Sequence, residues 1–80
     1  MTETLKPDEE RALSFIVGFM QLGLRAVSTK IPVPHGTRRV IERLVRQGVL
    51  VEIDIPGGRA WTVGDRGIAD AVRIRLGEDS

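Results

Sequence analysis

Between Thr37 and Gln47 the apolar positions Val40, Ile41, Leu44 and Val45 recur at helical spacing, while Arg39, Glu42, Arg43 and Arg46 fall on the opposite side at about 100° per residue. Residues 35–48 therefore read as a helix with one face for a core and one basic face. Gly48 supplies the stop that a helix C-terminus favours. The period then changes from helical to alternating. Val49, Val51, Ile53 and Ile55 alternate with Glu52 and Asp54, which predicts a half-buried strand with the aliphatic set turned inward. Pro56, Gly57 and Gly58 are turn residues, and residues 59–63, with Trp61 and Val63 on one side, supply a return strand.

Upstream, Pro7 followed by Asp8, Glu9 and Glu10 marks a helix start, because proline fits the first turn and acids there complement the positive end of the helix dipole. This first helix is expected to run to about Leu22, with Gly23 as its stop. Leu13, Ile16, Val17 and Met20 form one apolar stripe, and Ala12, Phe15, Phe19 and Leu22 a second beside it. The arc is wider than one buried face requires. Phe15 and Phe19 are accordingly candidates for a dimer interface, the alternative being cover by the C-terminal helix. Residues 27–31 read as a short second helix capped near Ser28, and Pro32 and Pro34 break the chain into a stiff turn that carries Val33 inward. Gly36 or Thr37 then caps the main helix. After the hairpin, Gly64 and Asp65 open a last helix with an apolar stripe of Ile68, Ala71 and Val72, Arg73 and Arg75 near its end, and Gly77 as its stop.

The expected fold class is thus α+β: a three-helix core, a two-stranded hairpin and a C-terminal helix, built from residues 8–76, with residues 1–7 a flexible leader and 77–80 a flexible tail. Eighty residues make one small domain, which buries only about 60–65% of its unfolded surface, so a dimer would help its stability. The absence of cysteine excludes a disulfide framework, a thiolate zinc site and a thiol nucleophile. No apolar run approaches the roughly 20 residues of a membrane span, and the acidic N-terminus lacks a signal peptide's basic start, which points to a soluble cytoplasmic protein.

The net charge of +1 conceals a segregation along the chain: −2 over residues 1–24, +5 over residues 25–75 and −2 over the last five. A basic middle between acidic ends suits a face that binds a polyanion.

The succession of helix, short helix, basic helix, strand, hairpin turn, strand and helix resembles the winged helix-turn-helix regulators of the MarR and PadR type, over roughly residues 8–76. Three pieces carry the likeness. Residues 44–50, LVRQGVL, are similar to the exit of that family's recognition helix; residues 31–37, IPVPHGT, to its turn and entry; and residues 59–67, RAWTVGDRG, to the run that joins the return strand to the last helix. Gly64 stands where the family usually has a capping threonine, and Thr37 stands one step later than the family's threonine. The long flanking dimerisation helices of MarR proteins and an effector domain are missing from the pattern.

The resemblance implies a small transcriptional regulator, working as a homodimer on double-stranded DNA in the nucleoid, with residues 37–47 in the major groove. Arginine can hold guanine bidentately, and residues near the start of an inserted helix read bases while later ones meet phosphates. On that rule Thr37, Arg38, Arg39 and Glu42 would read base edges. Arg25, Lys30, His35, Arg43 and Arg46 would contact the backbone, and Arg59 would act from the wing tip. Glu42 also lies four residues from both Arg38 and Arg46, a spacing that favours pairing with them. Trp61 suits packing beneath the hairpin better than base stacking. A lone histidine without cysteines makes no metal site, and no cofactor is implied. Ser14 and Ser28 have no base beside them in sequence, and the two hairpin glycines lack a phosphate loop's lysine, so no catalytic constellation is assembled. Two alternatives remain: an excisionase or other architectural factor that bends DNA, and a winged-helix module that docks a protein partner instead of DNA.

Overall fold

The computed structural model describes residues 5–76; residues 1–4 and 77–80, which hold most of the expected leader and all of the expected tail, lie outside the described residues. The chain is α+β, with three α-helices and a three-stranded antiparallel sheet of order β1-β3-β2. Leu5 packs against the core, and Pro7 opens α1 (Pro7–Met20), whose first turn is closed by Glu9 accepting a hydrogen bond from the Lys6 backbone N–H at 3.0 Å. Ala12, Leu13, Ile16 and Val17 are its buried face. The second expected stripe is only partly used. Phe15 and Phe19 are half-buried and meet edge-to-face at 5.2 Å, whereas Leu22 lies beyond the helix end and is 79% exposed. Phe15 lines a groove with Pro34, Gly36 and Val40, at the entry to the next helix.

The short second helix expected over residues 27–31 does not form. Val27 and Ser28 are a strand, β1 (Val27–Ser28), paired with Trp61 and Ala60 of β3 (Gly58–Val63), and the Thr29 N–H donates to the Arg59 carbonyl at 3.0 Å. A five-residue helix closes a single backbone hydrogen bond after an unfavourable nucleation, so pairing along an existing strand wins. Residues 29–36 then connect without a helix, stiffened by Pro32 and Pro34, with Ile31 and Val33 packed on the core. The helix-turn-helix pair therefore lacks its first member, and the two-stranded hairpin becomes a three-stranded sheet.

α2 (Thr37–Gln47) follows, with Ile41 and Leu44 fully buried against α1. Gly48 ends it at φ 84, a left-handed conformation that favours glycine. Leu13, Ile16, Val27, Ile41, Leu44, Leu50 and Trp61 form the centre of the core.

β2 (Leu50–Ile55) turns over to β3 through Pro56 and Gly57 in a register that sets Leu50 opposite Val63 and Glu52 opposite Trp61. Opposed residues share a face and neighbours along a strand alternate. Leu50 and Trp61 thus point to the core, and Val51 and Ile53 point away, 38% and 40% exposed. The inward set expected from the alternation is the outward one. The reason lies at Gly48, where the left-handed turn leaves Val49 buried before the strand begins and gives the core face to Leu50.

The return from β3 runs directly over this junction. Gly64 N–H donates to the Val49 carbonyl at 2.9 Å, and a Cβ on Gly64 or on Gly67 would collide with the carbonyl oxygen of Gly48 or Val49 respectively. Position 64 has no room for a side chain, because the two backbones touch there. A 3-10 turn, Asp65–Gly67, leads into α3 (Ile68–Arg75). None of its residues is fully buried. Ala71 and Ile74 pack inward, while Ile68 and Val72, expected in the inward stripe, are 53% and 49% exposed.

Candidate nucleic-acid interface

The basic face of α2 divides into arginines that the fold uses and arginines that it leaves in water. Arg43 points back to the start of α1, with Nη2 2.8 Å from Asp8 Oδ2 and Nε 3.3 Å from Glu9 Oε2. The latter contact is an ion pair without hydrogen-bond alignment, so the buried Nε has no acceptor. Partial desolvation pushes the Asp8 carboxyl up, but the Arg43 hydrogen bond, backbone N–H donors and the Arg43 charge outweigh it and hold the group below the ordinary aspartate range. Arg38 reaches the connecting segment. Its Nη1 donates to the Thr29 carbonyl at 3.0 Å and its Nη2 to the Ile31 carbonyl at 3.4 Å, and its guanidinium lies 5.4 Å from the centre of the Trp61 ring. It occupies the place where a supporting helix was expected.

Arg39 and Arg46 are exposed, and among the described residues neither guanidinium has a hydrogen bond or an ion pair. They stand about 10 Å apart along the axis, comparable to the major groove's width of about 12 Å. Glu42 lies between them on the same outward strip. It too is exposed and unpaired among the described residues, so the bracing of Arg38 and Arg46 by Glu42 is not formed. Thr37 is half-buried at the helix start, where Gly36 at φ 83 is the N-cap and gives no side-chain cap, and where no acid occupies the first turn. The backbone N–H groups there add to the positive end of the helix dipole.

The other expected contacts are dispersed. Lys30 donates from Nζ to the Gly57 carbonyl at 2.9 Å and so ties the connecting segment to the hairpin turn. Arg59 lies between Glu52 and Asp54 at 3.3 and 3.4 Å, which neutralises the one cation expected at the wing tip. Arg25 and His35 are exposed. Arg66, which the pattern did not single out, lays its aliphatic stem against Gly48 at the far end of α2 and is itself exposed. No sequence signal marks it, since only the glycine contact places it there.

The acids of α1 account for much of this partition. Glu10 accepts two hydrogen bonds from Arg73 at 2.8 and 3.0 Å, which lower its carboxyl against a partial desolvation, and Arg73, also bonded to Asp70, is raised in turn. The acidic start and the basic middle of the chain thus meet in space. The separation visible along the sequence survives at Arg39 and Arg46 on α2 and at Arg25, Arg66 and Arg75 elsewhere, all exposed and without an ion pair among the described residues. Among the described residues no group of histidine, cysteine or carboxylates could hold a metal ion, and no helix is long and apolar enough to cross a membrane.

Comparison with known proteins gives no matching family model, no matching curated protein and no matching solved structure. The chemistry of the α2 face is therefore the ground for a functional reading.

Proposed function

We propose that the chain binds double-stranded DNA through the outward face of α2, as a small homodimeric transcriptional regulator of winged-helix type resembling the MarR and PadR proteins. The observation that carries this is the outward strip of Arg39, Glu42 and Arg46 on α2, whose two guanidinium groups have no acidic partner among the described residues, whereas Arg43 of the same helix and Arg59 and Arg73 elsewhere are held in ion pairs. In this reading Thr37, Arg39 and Glu42 approach base edges, and Arg46, Arg25 and His35 meet phosphates, with Arg66 joining them. Arg38 and Arg43 hold the helix in place instead of touching DNA. Two protomers related by a two-fold axis would present two such helices to one duplex. Such a protein works on the cytoplasmic nucleoid.

The test is a fluorescence anisotropy titration of purified protein against an arbitrary duplex at low salt. Binding that weakens steeply as salt rises supports the reading, and no binding at low salt removes it. A second reading, a protein-docking module without DNA binding, is favoured by the neutralised Arg59 and by the exposed apolar stripe of α3. A duplex-bending assay separates a regulator from an architectural factor.

A further inference from the structure

The outward strip of α2 carries an acid where a surface built only to grip phosphates would carry none. At about 100° per residue, Arg39, Glu42 and Arg46 project within about 60° of one another, and Glu42, exposed like both arginines, is the one carboxylate of the helix. Helical spacing also offers it Arg38, four positions earlier. That guanidinium is held instead by the Thr29 and Ile31 carbonyls and lies over the Trp61 ring. Among the described residues Glu42 has neither a hydrogen bond nor an ion pair. Its charge offsets one of the two cations beside it, so it weakens every contact that depends on phosphate charge alone. It helps binding only where a base edge gives it a hydrogen bond.

The chemistry of the side chains selects that base. An ionised carboxylate only accepts hydrogen bonds, and a guanidinium only donates them. Two bases present a donor in the major groove, adenine at N6 and cytosine at N4. Adenine sets the N7 acceptor beside its donor, against which the second carboxylate oxygen is repelled, whereas the cytosine edge offers the donor alone. Guanine presents two acceptors, N7 and O6, which match the fork of Arg39. Arg39 and Glu42 are separated by about 4.5 Å along the helix axis, comparable with the spacing of about 3.4 Å between successive base pairs. One side chain can therefore read guanine while the other reads cytosine in the same or the next pair. We infer that Glu42 is the specificity-determining residue of the α2 face, accepting from cytosine N4, and that the ligand is a duplex with G·C pairs at the contacted step. This rests on the DNA binding in the proposed function and deepens it by naming the pairs that are read.

The experiment titrates the purified full chain at low salt, by fluorescence anisotropy, with three duplexes of equal length built of G·C, A·T and inosine·cytosine pairs. Inosine keeps the N7 and O6 of guanine and lacks its minor-groove amino group, so the third duplex has the major-groove edge of G·C and the minor-groove edge of A·T. The wild type should bind the G·C and inosine·cytosine duplexes alike, and both about tenfold or more tighter than A·T. Glu42→Ala should bind the A·T duplex more tightly than the wild type does, and should lose about fivefold or more of the preference. Glu42→Gln, whose amide matches adenine N6 and N7, should lower the preference further still. Melting temperatures should be unchanged in both variants, and the comparison of duplexes on the wild type stands without either. Three duplexes bound alike, an inosine·cytosine duplex bound as weakly as A·T, or a preference that folded Glu42→Ala retains in full would overturn the inference and leave the DNA binding in place. No binding of any duplex would remove both.

Discussion

Replacing Arg43 by alanine distinguishes an arginine that serves the fold from one that serves a ligand. On the sequence alone, Arg43→Ala should lose DNA binding and leave folding intact. The structure reverses this. The guanidinium is the cation facing Glu9, whose side chain is only 6% exposed, and Lys6 N–H is the other donor to that carboxylate. Removing one partner of a buried pair costs about 3–5 kcal/mol, and hydrogen bonds to charged groups are worth about 1.5–3 kcal/mol. Arg43 itself is 37% exposed, so water can replace part of the interaction and the lower end applies. The expected loss is about 2 kcal/mol, or about 10 °C in melting temperature for a domain of this size. Thermal and urea unfolding followed by circular dichroism would measure it. Glu9→Gln in the Arg43→Ala background should recover part of the loss, because it removes the orphaned charge. An unchanged melting temperature for Arg43→Ala, or strict additivity of the two substitutions, would refute the assignment of Arg43 to the fold.

Two further outcomes follow from the same packing. Gly67 has φ −99, where alanine is unstrained and would ordinarily gain about 0.5–1 kcal/mol; its Cβ would nevertheless strike the Val49 carbonyl, so Gly67→Ala should destabilise by about 1–3 kcal/mol, and a raised melting temperature would show that the two junctions do not touch. Asp8 and Glu10 titrate below their ordinary ranges in the folded chain, so their contribution is complete above the unfolded values near about pH 4 and is lost as pH falls through the folded ones. The urea midpoint should therefore drop between about pH 5 and about pH 3, and a flat or rising midpoint would mean that the Arg43 and Arg73 contacts are not made in solution.

Local signals carried the long elements into the sequence reading. The helical period of α1 and α2, the stop at Gly48 and the turn at Pro56 and Gly57 each depend on neighbours a few residues away, and each stands where the pattern put it. What the pattern misplaced depends on distant partners. Val27 and Ser28 form a strand because Trp61 and Ala60 lie alongside, a pairing that two residues cannot announce. Alternation in residues 49–55 reveals a strand but not which set faces inward, and the conformation at Gly48 decides that. Arg43 looked free because its acids lie 35 positions earlier, and Arg73 meets Glu10 across 63. Charges on a helix face can be counted from sequence, but whether they are already neutralised depends on the tertiary fold.

The central claim is that Arg39 and Arg46 form the DNA-contacting face of α2. Its most direct test is the slope of log affinity against log salt for a duplex, measured for the wild type, Arg39→Ala and Arg46→Ala, with melting temperatures taken in parallel. Each phosphate contact contributes a slope of about −0.9. Arg46→Ala should therefore weaken binding and make the slope shallower by about one unit, and Arg39→Ala should weaken binding most where a base is read, both with unchanged melting temperatures. Affinity and slope that are the same for all three proteins would contradict the account.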